Sequence, residues 1–224
     1  MGMNQIKRIP KHIGIIPDGN RRWAKQNNYE KHEGYSHGIL PGFKLYELML
    51  EYGIKEATFY GFTQDNTKRP KIETESFVKA AVEAVNTLAN KDANLLVIGN
   101  TASKVFPEEL KKYANRRVNF GRGLININFL VNYDWNWDLL HAFVAKDLPK
   151  TKKVNLHHHI ASSDISRIDL IIRWGGRRRL SGFLPVQSVY ADYYFVDDYW
   201  PDFKEEHFID ALNWYQTTDR TLGG

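Results

Sequence analysis

The chain has 224 residues, of which 42% are hydrophobic, 13% aromatic and 25% charged, a composition typical of a folded domain and not of a long disordered segment. It contains no cysteine, which excludes disulfides, zinc sites built from thiolates and a cysteine nucleophile. A formal net charge of +5 and a pI near 9.2 predict an anionic partner: nucleic acid, a phosphorylated metabolite or an anionic membrane surface.

Short apolar runs alternate along the chain with segments of helical spacing. The runs that predict buried strands lie at 12–16, 56–62, 94–99, 124–133 and 168–174, and helical spacing covers 39–53, 74–91, 107–120 and 137–148. This alternation predicts an α/β fold in a single domain over residues 1–224, with a mostly parallel central sheet surrounded by helices. Ligands of such a sheet bind at the carboxyl ends of its strands.

Two further features concern location and metals. No apolar run approaches the roughly 18 residues that span a bilayer, and the N-terminus lacks an apolar signal core, so we expect a cytoplasmic protein. The histidine triplet at 157–159 is predicted to lie in a solvated loop, because adjacent residues point in different directions.

The first polar cluster, "PDGNRRW", follows the predicted strand 12–16. Gly19 lets the turn approach a ligand closely, and Arg22 can bind a phosphate through two hydrogen bonds. Asp18 would repel a bare phosphate, but a bridging Mg²⁺ removes that conflict. The pattern alone fits either such an anion site or an ordinary strand-to-helix turn with a polar cap.

Two more polar clusters follow later strands. Thr63, Asn66 and Arg69 lie in "GFTQDNTKRP", which by itself fits a polar loop that leads into a helix. The third cluster places Arg173 near the end of a buried strand, followed by two glycines, three more arginines and Ser181. Because a buried arginine is costly without an anion, this cluster is the stronger phosphate candidate.

These motifs, taken together, resemble those of the cis-prenyltransferases, the family of undecaprenyl and dehydrodolichyl diphosphate synthases. The resemblance runs almost from end to end and rests on segments that occur in the family's order: "HIGIIPDGNRRWAKQ", "GFTQDNTKRP", "ININFLVNY", "DLIIRWGGRRRLSGFLPVQSVYADYYF", "WPDF" and "DRTLGG". It implies a prenyltransferase that condenses an allylic prenyl diphosphate with isopentenyl diphosphate in cis-prenyl chain elongation, with Mg²⁺ as cofactor.

The resemblance also implies roles for individual residues. Asp18, Asn20 and Arg22 would be catalytic, with Asp18 and Asp192 as metal ligands, Asp192 standing where the family usually has a metal-binding Glu. The implied substrate-binding residues are Gly19, Arg21, Trp23, Lys31, Tyr35, Thr63, Asn66, Arg69, Arg173, Arg179, Ser181 and Arg220. Arg69 belongs to the allylic side of the site, and Arg173, Arg179 and Ser181 to the side of the acceptor.

The sequence departs from the family at several positions near the implied chemistry. Tyr35 stands where most members have His, and Thr67 where they have Trp. Arg177 and Arg178 replace Glu-His, and Gly182 replaces Asn. The acceptor side is therefore altered in charge, which leaves open a branched, non-head-to-tail condensation of allylic diphosphates of the lavandulyl type, or prenyl transfer to another acceptor.

Other classes of function stay open beside these two. The family includes accessory subunits without catalysis, but they have lost the metal-binding Asp that Asp18 matches here. Binding of nucleic acid would need basic residues spread over one exposed face, whereas these arginines occur in short clusters at strand ends. We therefore expect no nucleic-acid partner.

The resemblance finally implies a homodimer with an apolar tunnel for the growing hydrocarbon. The aromatic stretch 189–203 fits either a subunit interface or a buried edge of the same subunit. The candidate tunnel wall is the helix over 77–91 with Ala80, Ala81, Ala84 and Val85, although plain packing of a helix on the sheet explains each residue equally. Membrane contact is expected to be peripheral at most.

Overall fold

One seven-stranded sheet forms the centre of the computed structural model, which describes residues 6–144 and 155–218. The strands are β1 (His12–Ile16), β2 (Glu56–Thr63), β3 (Ala93–Ile98), β4 (Val118–Asn119), β5 (Ile125–Tyr133), β6 (Leu170–Arg173) and β7 (Asp192–Phe195). Their order across the sheet is β4-β3-β5-β2-β1-β6-β7, and all pairs are parallel except β3 with β4. The predicted α/β fold with a mostly parallel sheet is confirmed.

Six α-helices connect or flank the strands within the described ranges. They are α1 (Asn20–Gln26), α2 (Gly34–His37), α3 (Ile39–Glu51), α4 (Lys71–Leu88), α5 (Trp135–Val144) and α6 (Glu205–Tyr215). Helix α4 begins directly after Pro70, three residues before the predicted start, because proline is well suited to precede a helix but not to continue one. None of the helices in these ranges is long and apolar enough to cross a membrane.

The helix predicted over 107–120 is wrong. A 3₁₀ helix occupies Glu108–Tyr113, and Val118–Asn119 is a strand that pairs antiparallel with β3. Asn115 has a positive φ of 54°, and its N–H donates to the carbonyl of Val97 at 3.0 Å. The extended backbone of Ala114 ends the 3₁₀ helix, and the left-handed backbone at Asn115 then redirects the chain toward the sheet edge.

Hydrophobic side chains cover both faces of the sheet. The alternation along β1 is typical: Ile13 and Ile15 belong to the larger core, and Ile16 belongs to the smaller core on the other face. Helices α3, α4 and α6 contribute to the larger core, with Leu45, Val85 and Phe208 among its fully buried residues. The parallel strands are thus buried on both sides, which explains their near-continuous apolar sequences.

The aromatic stretch 189–203 divides between surface and core. Val189 and Tyr190 are exposed, the strand β7 is half-buried, and Trp200 and Phe203 lie in the larger core of their own subunit. Trp200 and Phe203 thus fit the buried edge of their own subunit, and a subunit interface stays a prediction for the more accessible residues of the stretch. The histidine triplet lies at a 3₁₀ turn over Leu156–His158, and no group of three potential metal ligands occurs among the described residues.

Candidate functional site

The first loop of the site leads from β1 to α1 through Pro17, Asp18 and Gly19. Gly19 has a φ of 108°, and a Cβ placed there would lie 2.6 Å from the ring of Tyr199. Both the backbone conformation and this close approach require glycine. The carbonyl of Asp18 accepts a hydrogen bond from the N–H of Trp200 at 3.0 Å, which fixes the loop on the chain that follows β7.

The carboxylate of Asp18 contacts two arginines from different parts of the chain. Arg173 donates from Nη2 to Oδ2 at 2.8 Å, and Nη2 of Arg22 lies 3.3 Å from Oδ1. Arg22 also donates from Nη1 to the carbonyl of Gly175 at 2.8 Å, and its guanidinium lies 5.0 Å from the ring centre of Tyr199. The third strand-end cluster is thus joined directly to the first.

Arg173 is the last residue of β6 and is only 4% exposed. Its Nη1 donates to Oγ of Ser181 at 2.9 Å and also to the carbonyl of Arg179. Ser181 has a positive φ of 56° and is followed by Gly182 with a φ of 78°, so the loop turns back toward the end of β6. The buried cation is therefore compensated by Asp18 and by oxygen acceptors.

The second loop follows β2 and leads into α4. The N–H of Thr63 donates to Oδ1 of Asn66 at 3.1 Å, and the Thr63 side chain accepts from the Asn66 N–H in return, a reciprocal cap of the short 3₁₀ helix Gln64–Lys68. Arg69 donates from Nη1 to the hydroxyl of Tyr35 at 3.0 Å. Arg21, on α1, forms an ion pair at 3.0 Å with the buried Glu73 of α4.

A cavity of about 570 Å³ opens between these loops. It contains most of the predicted site: Asp18, Gly19, Asn20, Arg21, Arg22, Lys31, Tyr35, Thr63, Asn66, Arg69, Arg173, Arg179 and Ser181. Eight basic residues line it against two carboxylates, those of Asp18 and Asp65. A cavity of this charge is suited to more than one polyvalent anion.

The amide of Asn20 is oriented by the loop itself. Its Nδ2 donates to the carbonyl of Pro17 at 3.0 Å. The buried Oδ1 has no hydrogen-bond partner in the described part of the chain, and it lies 2.5 Å from where a Cβ on Gly38 would stand. A glycine at position 38 therefore leaves space for the Asn20 side chain beside the first loop.

Two predicted residues of the described ranges, Trp23 and Asp192, do not line the cavity. Trp23 stacks on Tyr29 and donates from Nε1 to Asp202 at 2.7 Å, outside the cavity lining. Asp192, the first residue of β7, pairs with Leu170 at the start of β6. Leu170 is three residues, or about 10 Å along the strand, from Arg173. The carboxylate of Asp192 accepts a hydrogen bond from the hydroxyl of Thr218. Asp18 and Asp192 therefore do not meet within one chain, and Arg220 lies outside the described residues.

The cavity also includes residues that the sequence did not single out as site residues: Ile16, Pro17, Lys25, Tyr60, Gly61, Asp65, Phe77 and Arg177. Tyr60 and Gly61 reach it at an irregular stretch of β2, where the register with β5 shifts after Tyr60. Burial raises the pKa of Tyr60, whose hydroxyl donates to the carbonyl of Ser181 at 2.7 Å. A place near a strand end was the available signal for Tyr60 and Gly61, whereas Lys25 and Phe77 lie in helices α1 and α4.

Of the candidate tunnel wall over 77–91, only Phe77 lines this cavity among the described residues. Val85 is fully buried in the larger core, and Ala80 and Ala81 are 9% and 8% exposed. None of these residues, nor Ala84, belongs to the cavity lining among the described residues. In this structure they pack α4 against its neighbours, and a hydrocarbon tunnel along them stays a prediction.

Comparisons with known proteins agree on one family. The family model of undecaprenyl diphosphate synthases, a prenyltransferase family, matches residues 16–223. The (2E,6E)-farnesyl-diphosphate-specific ditrans,polycis-undecaprenyl-diphosphate synthase of Haemophilus influenzae is 33% identical over 231 residues, 96% of this chain and 96% of that protein. An isoprenyl transferase of Leptospira interrogans is 32% identical over 231 residues, 96% of this chain and 95% of that protein.

A solved structure supports the same fold. The lavandulyl diphosphate synthase from Lavandula x intermedia, solved in complex with dimethylallyl diphosphate, superposes with a TM-score of 0.83 at 24% sequence identity. The match covers 96% of this chain and 98% of that one. At this identity the likeness establishes the arrangement of helices and strands.

Proposed function

Because this chain belongs to the undecaprenyl diphosphate synthase family of prenyltransferases, we propose that it condenses an allylic prenyl diphosphate with isopentenyl diphosphate in cis-prenyl chain elongation. The single observation that supports the proposal is the cavity in which the three strand-end polar clusters meet. Asp18 comes from the first cluster, Arg69 from the second, and Arg173 and Ser181 from the third, and the Asp18–Arg173 ion pair joins the first cluster to the third. We propose that the whole chain, 1–224, forms this one catalytic domain.

The reaction needs charge stabilisation and no protein nucleophile. The allylic carbon–oxygen bond breaks with its electron pair on the departing diphosphate, a carbon–carbon bond forms to the acceptor's double bond, and the acceptor loses one proton. Arg21, Arg22 and Arg69 lie where they can stabilise the negative charge of the leaving group. Arg173, Arg179 and the hydroxyl of Ser181 are placed to bind the diphosphate of the acceptor.

The residues of the first loop fit a Mg²⁺ ion. The Asp18 side chain is 32% exposed and lines the cavity, so its carboxylate is accessible from the side of the substrates. One carboxylate together with substrate phosphates is the usual arrangement around Mg²⁺. When bound, the ion would neutralise charge on the diphosphate and favour departure of the leaving group.

We also propose that the chain works as a homodimer. Helix α5 presents Leu140, Phe143 and Val144, which follow the i, i+3, i+4 spacing of one helix face and are 49%, 75% and 77% exposed. Exposed apolar side chains at this density mark a contact surface. A second copy could bring Asp192 to this cavity, and the roles of Asp192 and Arg220 stay predictions. We expect cytoplasmic location with at most peripheral membrane contact, and no nucleic-acid partner.

Arg177 keeps a second candidate reaction open. It lines the cavity together with Arg179 and Ser181, at a position where the sequence departs from the family by replacing an acidic residue with a cation. The acceptor side is therefore altered in charge, and the alternative acceptor is a second allylic diphosphate in a branched condensation of the lavandulyl type.

One experiment separates these reactions. The protein and Mg²⁺ are incubated with dimethylallyl, geranyl or farnesyl diphosphate, each with and without isopentenyl diphosphate, and the products are identified by mass spectrometry and NMR. Chain elongation requires isopentenyl diphosphate for every product. A product formed from the allylic diphosphate alone would replace elongation by the branched reaction, and no consumption of any diphosphate would indicate a non-catalytic accessory subunit.

A further inference from the structure

Tyr35 connects the polar and apolar sides of the cavity. Its hydroxyl accepts the hydrogen bond from Nη1 of Arg69 at 3.0 Å, and its ring stacks on Phe77 with centroids 4.6 Å apart and planes at 8°. Phe77 in turn packs edge-on against Phe62 at 5.4 Å. Tyr35 is only 5% exposed, and both Tyr35 and Phe77 line the cavity.

The guanidinium of Arg69 depends on Tyr35 for its position. Within the described residues its hydrogen-bond acceptor is the Tyr35 hydroxyl, and its other contact is the ring of Phe77, 5.9 Å from the guanidinium carbon. An arginine side chain that is already held loses less conformational freedom when it binds a phosphate. This hydrogen bond from Arg69 to the Tyr35 hydroxyl, called the tether below, therefore orients Arg69 before a ligand binds.

The Tyr35 hydroxyl remains neutral over the whole acidic and neutral pH range. Burial raises its pKa above the ordinary value of 10.0, Glu73 acts in the same direction, and the guanidiniums of Arg69 and Arg21 oppose them. The oxygen can therefore accept from Arg69 at every pH in that range. An imidazole at this position could accept only in its neutral form, which it loses below about pH 6.5.

We propose that Tyr35 is a positioning residue, whose hydroxyl holds Arg69 toward the allylic diphosphate and whose ring holds Phe77 as the wall against which the first prenyl unit lies. The inference rests on the proposed function, because it assigns Arg69 to the allylic substrate. It adds that the tyrosine, in place of the family's usual histidine, makes the tether insensitive to pH.

Two substitutions at one position test the tether. Tyr35→Phe keeps the ring and removes the acceptor, and Tyr35→His restores an acceptor in its neutral form. The readout is the dissociation constant of dimethylallyl S-thiolodiphosphate, a non-reactive probe, with Mg²⁺, measured by titration calorimetry between pH 5 and 8. Each value is divided by that of the wild type at the same pH, which removes the titration of the probe itself.

We expect Tyr35→Phe to bind the probe about tenfold more weakly at every pH, as for loss of a hydrogen bond to a charged group. Tyr35→His should bind like the wild type at pH 8 and progressively more weakly toward pH 5. In turnover, Tyr35→Phe should raise KM for the allylic substrate more than it lowers kcat. Tyr113→Phe, at a buried tyrosine outside the cavity, serves as the matched control and should leave binding unchanged.

A double-mutant cycle completes the test. If the hydroxyl acts through Arg69, Tyr35→Phe should have no further effect on binding in an Arg69→Ala background. Wild-type binding by Tyr35→Phe, or a flat pH profile for Tyr35→His, would overturn the inference and leave the proposed function intact. Failure of the wild-type protein to bind the dimethylallyl probe and its geranyl and farnesyl counterparts would instead overturn the proposed function.

Discussion

Arg173 and Asp18 form an ion pair between neighbouring strand ends, with Nη2 of Arg173 2.8 Å from Oδ2 of Asp18. The register of β1 with β6 pairs Ile16 with Arg173, so the arginine stands beside the turn that carries Asp18. The same guanidinium donates to Ser181, and its buried Nε has no partner within the described residues. One pair of charges therefore joins the two halves of the site.

Asp18→Asn should abolish most of the turnover and preserve the fold. The amide oxygen can still accept from Arg173, whereas the negative charge that would bind Mg²⁺ is lost. We expect kcat to fall by about 100-fold or more, the scale for loss of a preorganised charge contact. Steady-state kinetics and circular dichroism measure both effects. Asp65→Asn removes the other cavity carboxylate, which pairs with exposed Lys68, and should have a far smaller effect. Full activity of Asp18→Asn would refute the metal assignment.

Ser181→Ala should affect the acceptor more than the allylic substrate. The hydroxyl accepts from buried Arg173, and its own hydrogen is available to a phosphate oxygen. We expect KM for isopentenyl diphosphate to rise about tenfold while KM for the allylic diphosphate changes little. The two constants are measured with the other substrate saturating, and Ser103→Ala, outside the cavity, is the control. Equal increases in both constants would argue against an acceptor site at Ser181.

Gly19→Ala should destabilise the protein and distort the first loop of the site. The backbone φ of 108° is unfavourable for alanine, and the new methyl group would lie 2.6 Å from Tyr199. We expect the free energy of unfolding to fall by about 1–3 kcal/mol, together with a loss of activity. Gly42→Ala, in α3 with no atom within 4 Å of the new Cβ, should be neutral or slightly stabilising. Urea denaturation compares the two variants, and similar stabilities would contradict the steric account.

His12 should make the stability of the protein depend on pH. Burial lowers the pKa of its imidazole below the ordinary value of 6.5, against the opposing effects of Glu56 and Asp169. As pH falls below about 6.5, the unfolded chain takes up a proton that the folded state resists, so the free energy of unfolding decreases. For this one group, the free energy of unfolding changes by at most about 1.4 kcal/mol per pH unit.

The measurement is the urea midpoint between pH 7.5 and 5, for the wild type and for His12→Gln. The variant should lose part of the acid sensitivity, because its side chain does not titrate. The ring of His12 lies between Oγ1 of Thr58 at 2.8 Å and the carbonyl of Ser166 at 3.0 Å. The side-chain amide of the glutamine variant can replace part of these two hydrogen bonds. An unchanged pH dependence in the variant would show that other groups cause it.

Phe143→Asp should disrupt the proposed homodimer. The Phe143 side chain is 75% exposed, so a carboxylate in its place costs the monomer little folding free energy. Burial of that carboxylate without a partner in an apolar interface would be strongly unfavourable. We expect sedimentation to show a shift from dimer to monomer with little change in secondary structure. Leu124→Asp, at an exposed apolar residue before β5, is the control and should leave the dimer intact. A dimeric Phe143→Asp variant would place the interface elsewhere.

Short apolar runs in the sequence were sufficient to predict the central strands, because parallel strands that are buried on both faces are apolar along most of their length. The strands at 12–16 and 168–174 were predicted from that pattern, and the polar residues that follow them proved to line one cavity. The reason is geometric, since carboxyl ends of parallel strands share one edge of the sheet. Thus Asp18, Arg69 and Arg173 could be named from the sequence.

Short elements could not be predicted in the same way. The strand β4 has two residues and owes its existence to pairing with β3, and the left-handed backbone at Asn115 that precedes it has no reliable sequence signal. Trp23 was named for its motif, but its indole donates to Asp202, which is 179 residues away along the chain. Such contacts depend on which segments the fold brings together.

The sequence by itself therefore determined five of the seven strands, the family and the chemical types of the site residues, because these follow from local apolar patterns and ordered motifs. Only the tertiary structure decided how those residues are paired. In the folded chain Arg173 forms an ion pair with Asp18, Arg69 donates a hydrogen bond to Tyr35, and Tyr35 stacks on Phe77. Asp192 lies at the end of the β6–β7 pair opposite to Arg173. Side-chain partners across distant segments depend on distances of a few ångströms, which a one-dimensional pattern does not contain.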